Sequence, residues 1–484
     1  MSKENRIYHS KSQGVRIIAR TCNPATRVRA DRLGPVFSWL SESSTAYYLL
    51  VDNQNNLSYL LGNTSPCRRK RRVSRRLRQP GLATGQAMKD NFLKDEINDL
   101  KKKGLYRELR TVEGEQDSSV VINGKRVLMF SSNNYLGLAN HPELKKASMD
   151  AASRYGTGSG GSRLISGDME VHRTLEKELA LFKEAERALL FSSGYHANIG
   201  TISALAGEGD VVLSDDLNHA SIVDGCRLSK GEVRIYKHTD MNSLEETLRG
   251  SSRFRKRLIV TDSVFSMDGD IAPLPDIVDL AEKYSALVMV DDAHGTGILG
   301  KKGKGVIEHF GLGGKVDIQM GTLGKALGSF GAYIAGSEDL IHYLVNKARS
   351  LLYTTALPPS VCGSALAALK LLGEQPELVS QLRNNARYFR EGMRDLGYLI
   401  PEGETPILPL ILGDASVTMN MARDLFNEGI YVQGIRSPTV PDETSRLRIT
   451  LMATHTAEEL DFGLRAFEKV REKWTLQGTK SLRI

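Results

Sequence analysis

Lys325 stands in the stretch VDIQMGTLGKALGSFGAYIAG, crowded by four glycines and a threonine and placed just after a run that reads as a strand. A lysine in such company suits an amine that reacts. When its surroundings lower its pKa, lysine adds to carbonyls, and that chemistry includes the Schiff base with pyridoxal phosphate (PLP). An exposed loop lysine is the plainer alternative, since lysine is mostly exposed. A phosphate-binding P-loop is excluded, because it needs glycine five residues before the Gly-Lys pair and Ser or Thr after it, where the chain has Gln319 and Ala326.

A Schiff-base lysine requires a phosphate cup, an acid for the pyridine nitrogen and an arginine for a carboxylate. Several segments offer these. SSGYHAN, from Ser192 to Asn198, is a run of small residues leading into a helix, where free backbone N–H groups and the positive helix end hold phosphate. In VDDAHGTG, Asp291 emerges from a strongly apolar run with His294 close behind, and a pyridinium nitrogen is a partner that would keep such a carboxylate charged. A metal site built from Asp291, Asp292 and His294 competes, but no other clustered His or Cys supports it, and no metal is expected. His219, in SDDLNHASIVDG, is flat enough to stack on a cofactor ring or is simply structural. Asp262 and Ser266, in TDSVFSMDGD, either order the site or cap a turn. Thr322, three residues before the lysine, has a hydroxyl to offer the phosphate.

The elements that must position these residues are legible as short apolar runs at 188–192, 211–214, 233–236, 257–262, 286–292, 316–321 and 332–336, with helical segments between them. Strands apolar on both faces, alternating with helices, argue a mainly parallel seven-stranded α/β sheet covered by helices. In that architecture ligands gather at the carboxyl ends of the strands. Further strands are expected at 407–412, 430–433 and 447–451 in a smaller C-terminal α/β domain. Gly156, Gly158 and Gly161 satisfy GxGxxG, yet they follow a helical stretch rather than a strand, which excludes the dinucleotide reading.

A net charge of +8 is unevenly placed: residues 1–87 hold 16 Lys/Arg against 4 Asp/Glu, a net +12, which leaves −4 for the rest. The run CRRKRRVSRRLR, from Cys67 to Arg78, reads as disorder, targeting or nucleic-acid contact. Residues 1–87 are expected to be a basic extension, disordered or non-native, with a transit peptide, a partner arm and an accessory domain as alternatives. The division expected beyond it is a helical arm at 88–135, a large domain at 136–370 and a small domain at 371–484. No run reaches the roughly 18 apolar residues that a membrane helix needs, and the four scattered cysteines signal neither zinc nor disulfides. A reducing, cytoplasmic setting is expected, with no membrane partner. Nucleic-acid binding is disfavoured because the basicity is confined to the extension.

From about Lys94 to Val470 the chain resembles the α-oxoamine synthases, through FSSNNYLGL (130–138), GTGSGGSRLISG (156–167), DDLNHASIVDG (215–225), VFSMDGD (264–270), VDDAHGTG (290–297), GTLGKALG (321–328), YTTALPP (353–359) and GIRSPTVP (434–441). These are fold type I PLP-dependent transferases that join an amino acid to an acyl thioester. The resemblance implies PLP as cofactor, Lys325 as the Schiff-base lysine, Asp291 as partner of the pyridine nitrogen and His219 as the ring-stacking residue. It places Ser266 and His294 near the ring oxygen, Thr322 near the phosphate, and Gly194 and Tyr195 in the phosphate turn. Asp262 stands where the family often has Glu. Thr355 is implied to reach the phosphate of a neighbouring subunit, hence a homodimer with shared active sites. Asn133, Arg107, Arg436 and Arg448 are implied on the substrate side, with Arg436 or Arg448 holding the amino-acid carboxylate. GIRSPTVP and SGGS are most similar to members that condense L-alanine with a pimeloyl thioester on the route to biotin, and glycine with acetyl-CoA is the alternative.

Overall fold

The computed structural model describes residues 85–476 together with four short strands nearer the N-terminus, Arg6–His9 paired antiparallel with Arg16–Ala19, and Tyr47–Val51 paired antiparallel with Leu57–Leu61. The basic run Cys67–Arg78 and most of the expected extension lie outside the described residues. Residues 97–484 form one compact unit, to which all that follows refers.

Seven strands make the large sheet: β1 (Arg187–Phe191), β2 (Val211–Asp215), β3 (Glu232–Tyr236), β4 (Arg257–Asp262), β5 (Leu287–Asp291), β6 (Ile318–Thr322) and β7 (Ala332–Gly336). Their order is β3-β2-β4-β5-β6-β7-β1, and only β7 runs antiparallel to its two neighbours. Side chains two apart along a strand share a face, and two cores result. Val211, Leu213, Ile259, Val288 and Val290 enter one, while Val212, Leu258, Val260 and Met289 enter the other. This double burial is why the strands read as unbroken apolar runs.

Within residues 97–484 a smaller unit carries an antiparallel sheet in which Ser445–Thr450 lies between Ile407–Gly413 and Gln433–Ile435, with the helix Ala415–Asn427 packed against all three strands. Its core centres on Phe130, Phe389, Leu410, Ile449 and Phe467. The arm expected to be helical over 88–135 is helical only to Lys102. Strands Ser119–Ile122 and Lys125–Met129 follow, the second pairing with Ile430–Tyr431 of the small unit. VVINGKRVLM therefore reads better as a hairpin, with Asn123 and Gly124 both at positive φ in its turn. The helix Pro359–Glu374 runs across position 370, the expected domain edge.

A buried ion pair sets the end of β5. Lys183 and Asp292, with side chains 1% and 0% exposed, meet at 2.8 Å. The Asp292 carboxylate also accepts from Thr296 Oγ1 at 2.9 Å and from the Val306 N–H at 3.2 Å. It fills the loop so completely that a Cβ on Gly305, at φ +102°, would lie 1.7 Å from Asp292 Oδ2. Removing one member of such a pair strands the other charge in the interior. Lys183→Met is expected to lower the unfolding free energy by about 3–5 kcal/mol, measured by denaturant titration.

Candidate active site

Parallel register places Asp262 of β4 opposite Asp291 of β5, and Asp291 opposite Met320 of β6, so that two carboxylates and the approach to Lys325 share the carboxyl end of the sheet. The loop after β6 brings Lys325 Nζ to 2.8 Å from His294 Nε2. His294 Nδ1 lies 2.8 Å from the Tyr135 hydroxyl, which in turn lies 3.1 Å from Asn133 Oδ1. Arg448, on the strand Ser445–Thr450, donates to the Tyr135 hydroxyl and to Asn133 Oδ1, each at 3.2 Å, and its Nε–H donates to the Ser266 carbonyl. Residues from both units thus converge on one lysine.

Electrostatics sharpen this convergence. Desolvation pushes the Lys325 amine down to about 8, against the opposing pull of the Asp291 and Asp262 charges. Burial, together with the positive charges of Lys325 and Arg448, holds His294 well below the usual imidazole range. Asp262 is driven well above the ordinary carboxylate range by burial and by the Asp291 charge beside it. Burial also lowers His219. A neutral imidazole beside an amine that titrates near physiological pH is an arrangement for moving a proton.

Asp291 accepts Asn198 Nδ2–H at 2.7 Å and the Ala293 N–H at 3.0 Å. Asp262 accepts the His219 backbone N–H at 2.7 Å, and its own N–H donates to Asn218 Oδ1 at 2.9 Å. Asp262 therefore holds the turn after the neighbouring strand β2, while Asp291 holds the helix Gly194–Leu205 and its own loop.

The helix Gly194–Leu205 starts directly after β1, capped by Ser193, whose hydroxyl accepts the His196 N–H. The N–H groups of a first helical turn have no intrahelical partner. Beside them Thr322 Oγ1 is buried with no hydrogen-bond partner, and a Cβ on Gly194 would meet Thr322 Cγ2 at 2.8 Å. A buried hydroxyl without a partner, on a residue packed beside a helix start, suits an anion, and the pair fits a phosphate. Tyr195 joins it only through its backbone, since its hydroxyl turns away to donate to Asp224 at 2.6 Å.

Thr355, Arg107 and Arg436 lie apart from the Lys325 contacts. Thr355 is exposed and lines an open cleft of about 530 Å³ with Leu164, Ile165 and Tyr353. Arg107 donates to Thr439 Oγ1 at 3.2 Å, and Arg436 donates to the Tyr106 carbonyl at 3.2 Å and contacts the Met419 sulfur. Of the two arginines offered for a carboxylate, Arg448 is the one joined to the Lys325 group. Tyr135 and Asn198 had no assigned role, although both lie inside the motifs FSSNNYLGL and SSGYHAN. Asn198 could have been found by spacing, since it stands four residues after Gly194, one helical turn behind the cup. A larger crevice, of about 730 Å³, opens beside Lys230, Arg255 and Lys256 at the starts of β3 and β4, the wrong end of the sheet for this chemistry.

A two-sided parallel sheet with a reactive lysine, a buried acid and an anion cup at its carboxyl end defines a fold type I transferase. The chain belongs to the class I and II aminotransferase family, whose model matches residues 125–467, and within it to the α-oxoamine synthases. It is similar to the 8-amino-7-oxononanoate synthase of Geobacter sulfurreducens, 53% identical over 378 residues that cover 78% of this chain and 96% of the relative. Among solved structures it resembles serine palmitoyltransferase from S. paucimobilis with bound PLP, at a TM-score of 0.75 and 32% identity over 80% of this chain and 99% of that one. It also resembles 8-amino-7-oxononanoate synthase from Francisella tularensis, at a TM-score of 0.62 and 31% identity over 72% and 99%.

In the cofactor-free protein, capture of a small aldehyde at Lys325 is expected to accelerate through pH about 8, as the amine loses its proton. Lys325→Ala removes that step. The sign for stability follows: between about 8 and the ordinary 10.5 the folded chain holds fewer protons on Lys325 than the unfolded chain, so this group's contribution to stability rises with pH across that window.

Proposed function

We propose that this chain is an acyltransferase that uses PLP to condense L-alanine with a pimeloyl thioester, releasing carbon dioxide and giving 8-amino-7-oxononanoate. The observation that carries the reading is the 53% identity to a synthase of that name across 96% of its length, joined to a site whose parts match the chemistry. PLP, when bound, supplies an electron-accepting ring that stabilises a carbanion at the amino-acid Cα.

The residues of this chain do the rest. Gly194, Tyr195 and Thr322 hold the phosphate at the helix start, and Lys325 supplies the amine that anchors the cofactor. Asp291, oriented by Asn198 and the Ala293 N–H, would hold the ring nitrogen in its protonated, electron-accepting form, and His219 would pack against the ring. His294 and Ser266 lie toward its oxygen, while Asp262 fixes the His219 turn. The Lys325 amine, when free, would take the Cα proton of the amino acid, and its depressed pKa would suit it as a base near neutral pH. Arg448 spends three of its five N–H groups on Ser266, Asn133 and Tyr135. One N–H remains on each terminal nitrogen, which suits a paired hold on the substrate carboxylate. Asn133 would sit beside that carboxylate, and Arg107 would lie toward the acyl thioester.

Purified protein titrated with L-alanine, glycine and L-serine, with and without pimeloyl-CoA, tests this by visible absorption. A cofactor band is expected, perturbed most by alanine with pimeloyl-CoA, and Lys325→Ala is expected to lack both the native band and turnover. A preference for glycine with acetyl-CoA would overturn the substrate assignment, and a colourless protein would overturn the cofactor.

The working form is a homodimer with shared sites. Leu164, Ile165 and Tyr353 are 59%, 83% and 74% exposed beside Thr355, an apolar cluster of the kind that marks an interaction surface. Thr355 then reaches the phosphate cup of a second copy. No helix of the described residues is long and apolar enough to cross a membrane, which suits the cytoplasmic setting proposed for these substrates. Light scattering is expected to give twice the chain mass, and Ile165→Asp to shift it toward the monomer with weaker cofactor retention.

A further inference from the structure

His219 is joined to Asp291 by a relay with a direction. Asp291 Oδ2 accepts from Asn198 Nδ2 at 2.7 Å. The same Nδ2 donates to Ser221 Oγ at 2.8 Å. Ser221 Oγ lies 2.7 Å from His219 Nδ1, and the Ser221 backbone N–H points at that nitrogen from 3.2 Å. Asn198 and Ser221 are 0% and 1% exposed, so water does not substitute for either.

Each link permits one proton arrangement. A carboxylate oxygen only accepts, so the Asn198 amide must present its NH₂ group to Asp291. It keeps that orientation although its Oδ1 is left without a partner among the described residues, because a flip would set one oxygen against another. Ser221 Oγ then accepts from Asn198, and its own proton is free to point at His219. The Ser221 hydroxyl could accept as well as donate, but the Ser221 backbone N–H can only donate, so His219 Nδ1 is the acceptor. The ring proton is therefore on Nε2, for which the described residues supply no hydrogen-bond partner.

We infer that Asn198 and Ser221 are positioning residues that transmit the orientation of Asp291 to His219 and lock its imidazole as the neutral Nε2–H tautomer, leaving one N–H donor directed at whatever acceptor the bound substrate presents. A second proton on the ring would have to enter at Nδ1, against the Ser221 backbone N–H, so the relay also resists the imidazolium. The charged and titratable groups facing the ring from neighbouring elements are Asp291, Asp262, Lys325 and His294. None of them contacts Nδ1 within hydrogen-bond distance, so the tautomer is set by Ser221 alone among the side chains around it. This inference rests on the functional reading above for its purpose but not for its test.

The test is ¹⁵N NMR of the purified protein, with its cofactor, carrying ring-labelled histidine and assigned by a His219→Gln comparison. The expected result is a bare, hydrogen-bonded Nδ1 and a protonated Nε2 that persist from pH 6 to 8. Ser221→Ala and Asn198→Ala leave Nδ1 held by the backbone N–H of residue 221 alone, so they are expected to weaken the Nδ1 hydrogen bond and to raise the share of the other tautomer, with turnover falling about tenfold, the smaller end of the loss seen when a residue that orients a first-contact ligand is removed. Ser221→Thr, which keeps the hydroxyl, is expected to retain the native signature. A native Nδ1–H tautomer, or an unchanged signature in folded Ser221→Ala and Asn198→Ala proteins, overturns the relay. Should the alanine variants fail to fold, the native tautomer still decides the matter. A missing visible band would count against the cofactor and leave the tautomer reading intact.

Discussion

Everything at this site depends on keeping the Asp291 carboxylate at the carboxyl end of β5 in an environment with little water. Burying such a group is costly unless it is hydrogen-bonded. Here the Asn198 amide and the Ala293 N–H meet the two oxygens. The next residue takes the opposite face of the strand, where Asp292 is neutralised by Lys183. Two neighbouring acids therefore serve two ends: one is locked into the scaffold, which fixes the loop through His294, and the other is left facing the chamber. Asp262 sits opposite Asp291 in register, and the repulsion between them is part of what raises Asp262.

The reactive amine is tuned by the same crowding. Carboxylates nearby would raise the Lys325 pKa, and desolvation lowers it further than they raise it. The contact with His294 has a partner that is itself kept neutral by burial and by the positive charges of Lys325 and Arg448. Arg448 brings the small unit into this balance. Its guanidinium ties the strand Ser445–Thr450 to the Ser266 carbonyl and to Tyr135, so the position of the small unit and the electrostatics of the lysine are coupled. Arg446, two residues earlier on the same strand, pairs with Asp268 and reinforces that seam.

Much of this was legible in the chain. Alternating apolar runs implied the parallel sheet because both of its faces are buried, and all seven runs are strands. Lys325, Asp291, His219 and Thr322 stood out because they follow those runs, where a parallel sheet collects its ligands. The arm was less legible. Its opening helical pattern masked a hairpin at Ser119–Met129, whose pairing with Ile430–Tyr431 lies about 300 residues away in sequence.

Sequence alone determined the strands of the large sheet, the glycine-crowded lysine and the chemistry that its neighbours permit, because periodicity and residue type are local properties. Tertiary structure decided which groups touch. It selected Arg448 rather than Arg436 for the lysine cluster, since strand pairing in the small unit turns one inward and leaves the other with Tyr106 and Met419. It joined Tyr135 to His294 across 159 positions, and Asn198 to Asp291 across 93. Those bonds exist only after the chain has closed on itself, and the proton positions at Lys325 and His219 depend on them.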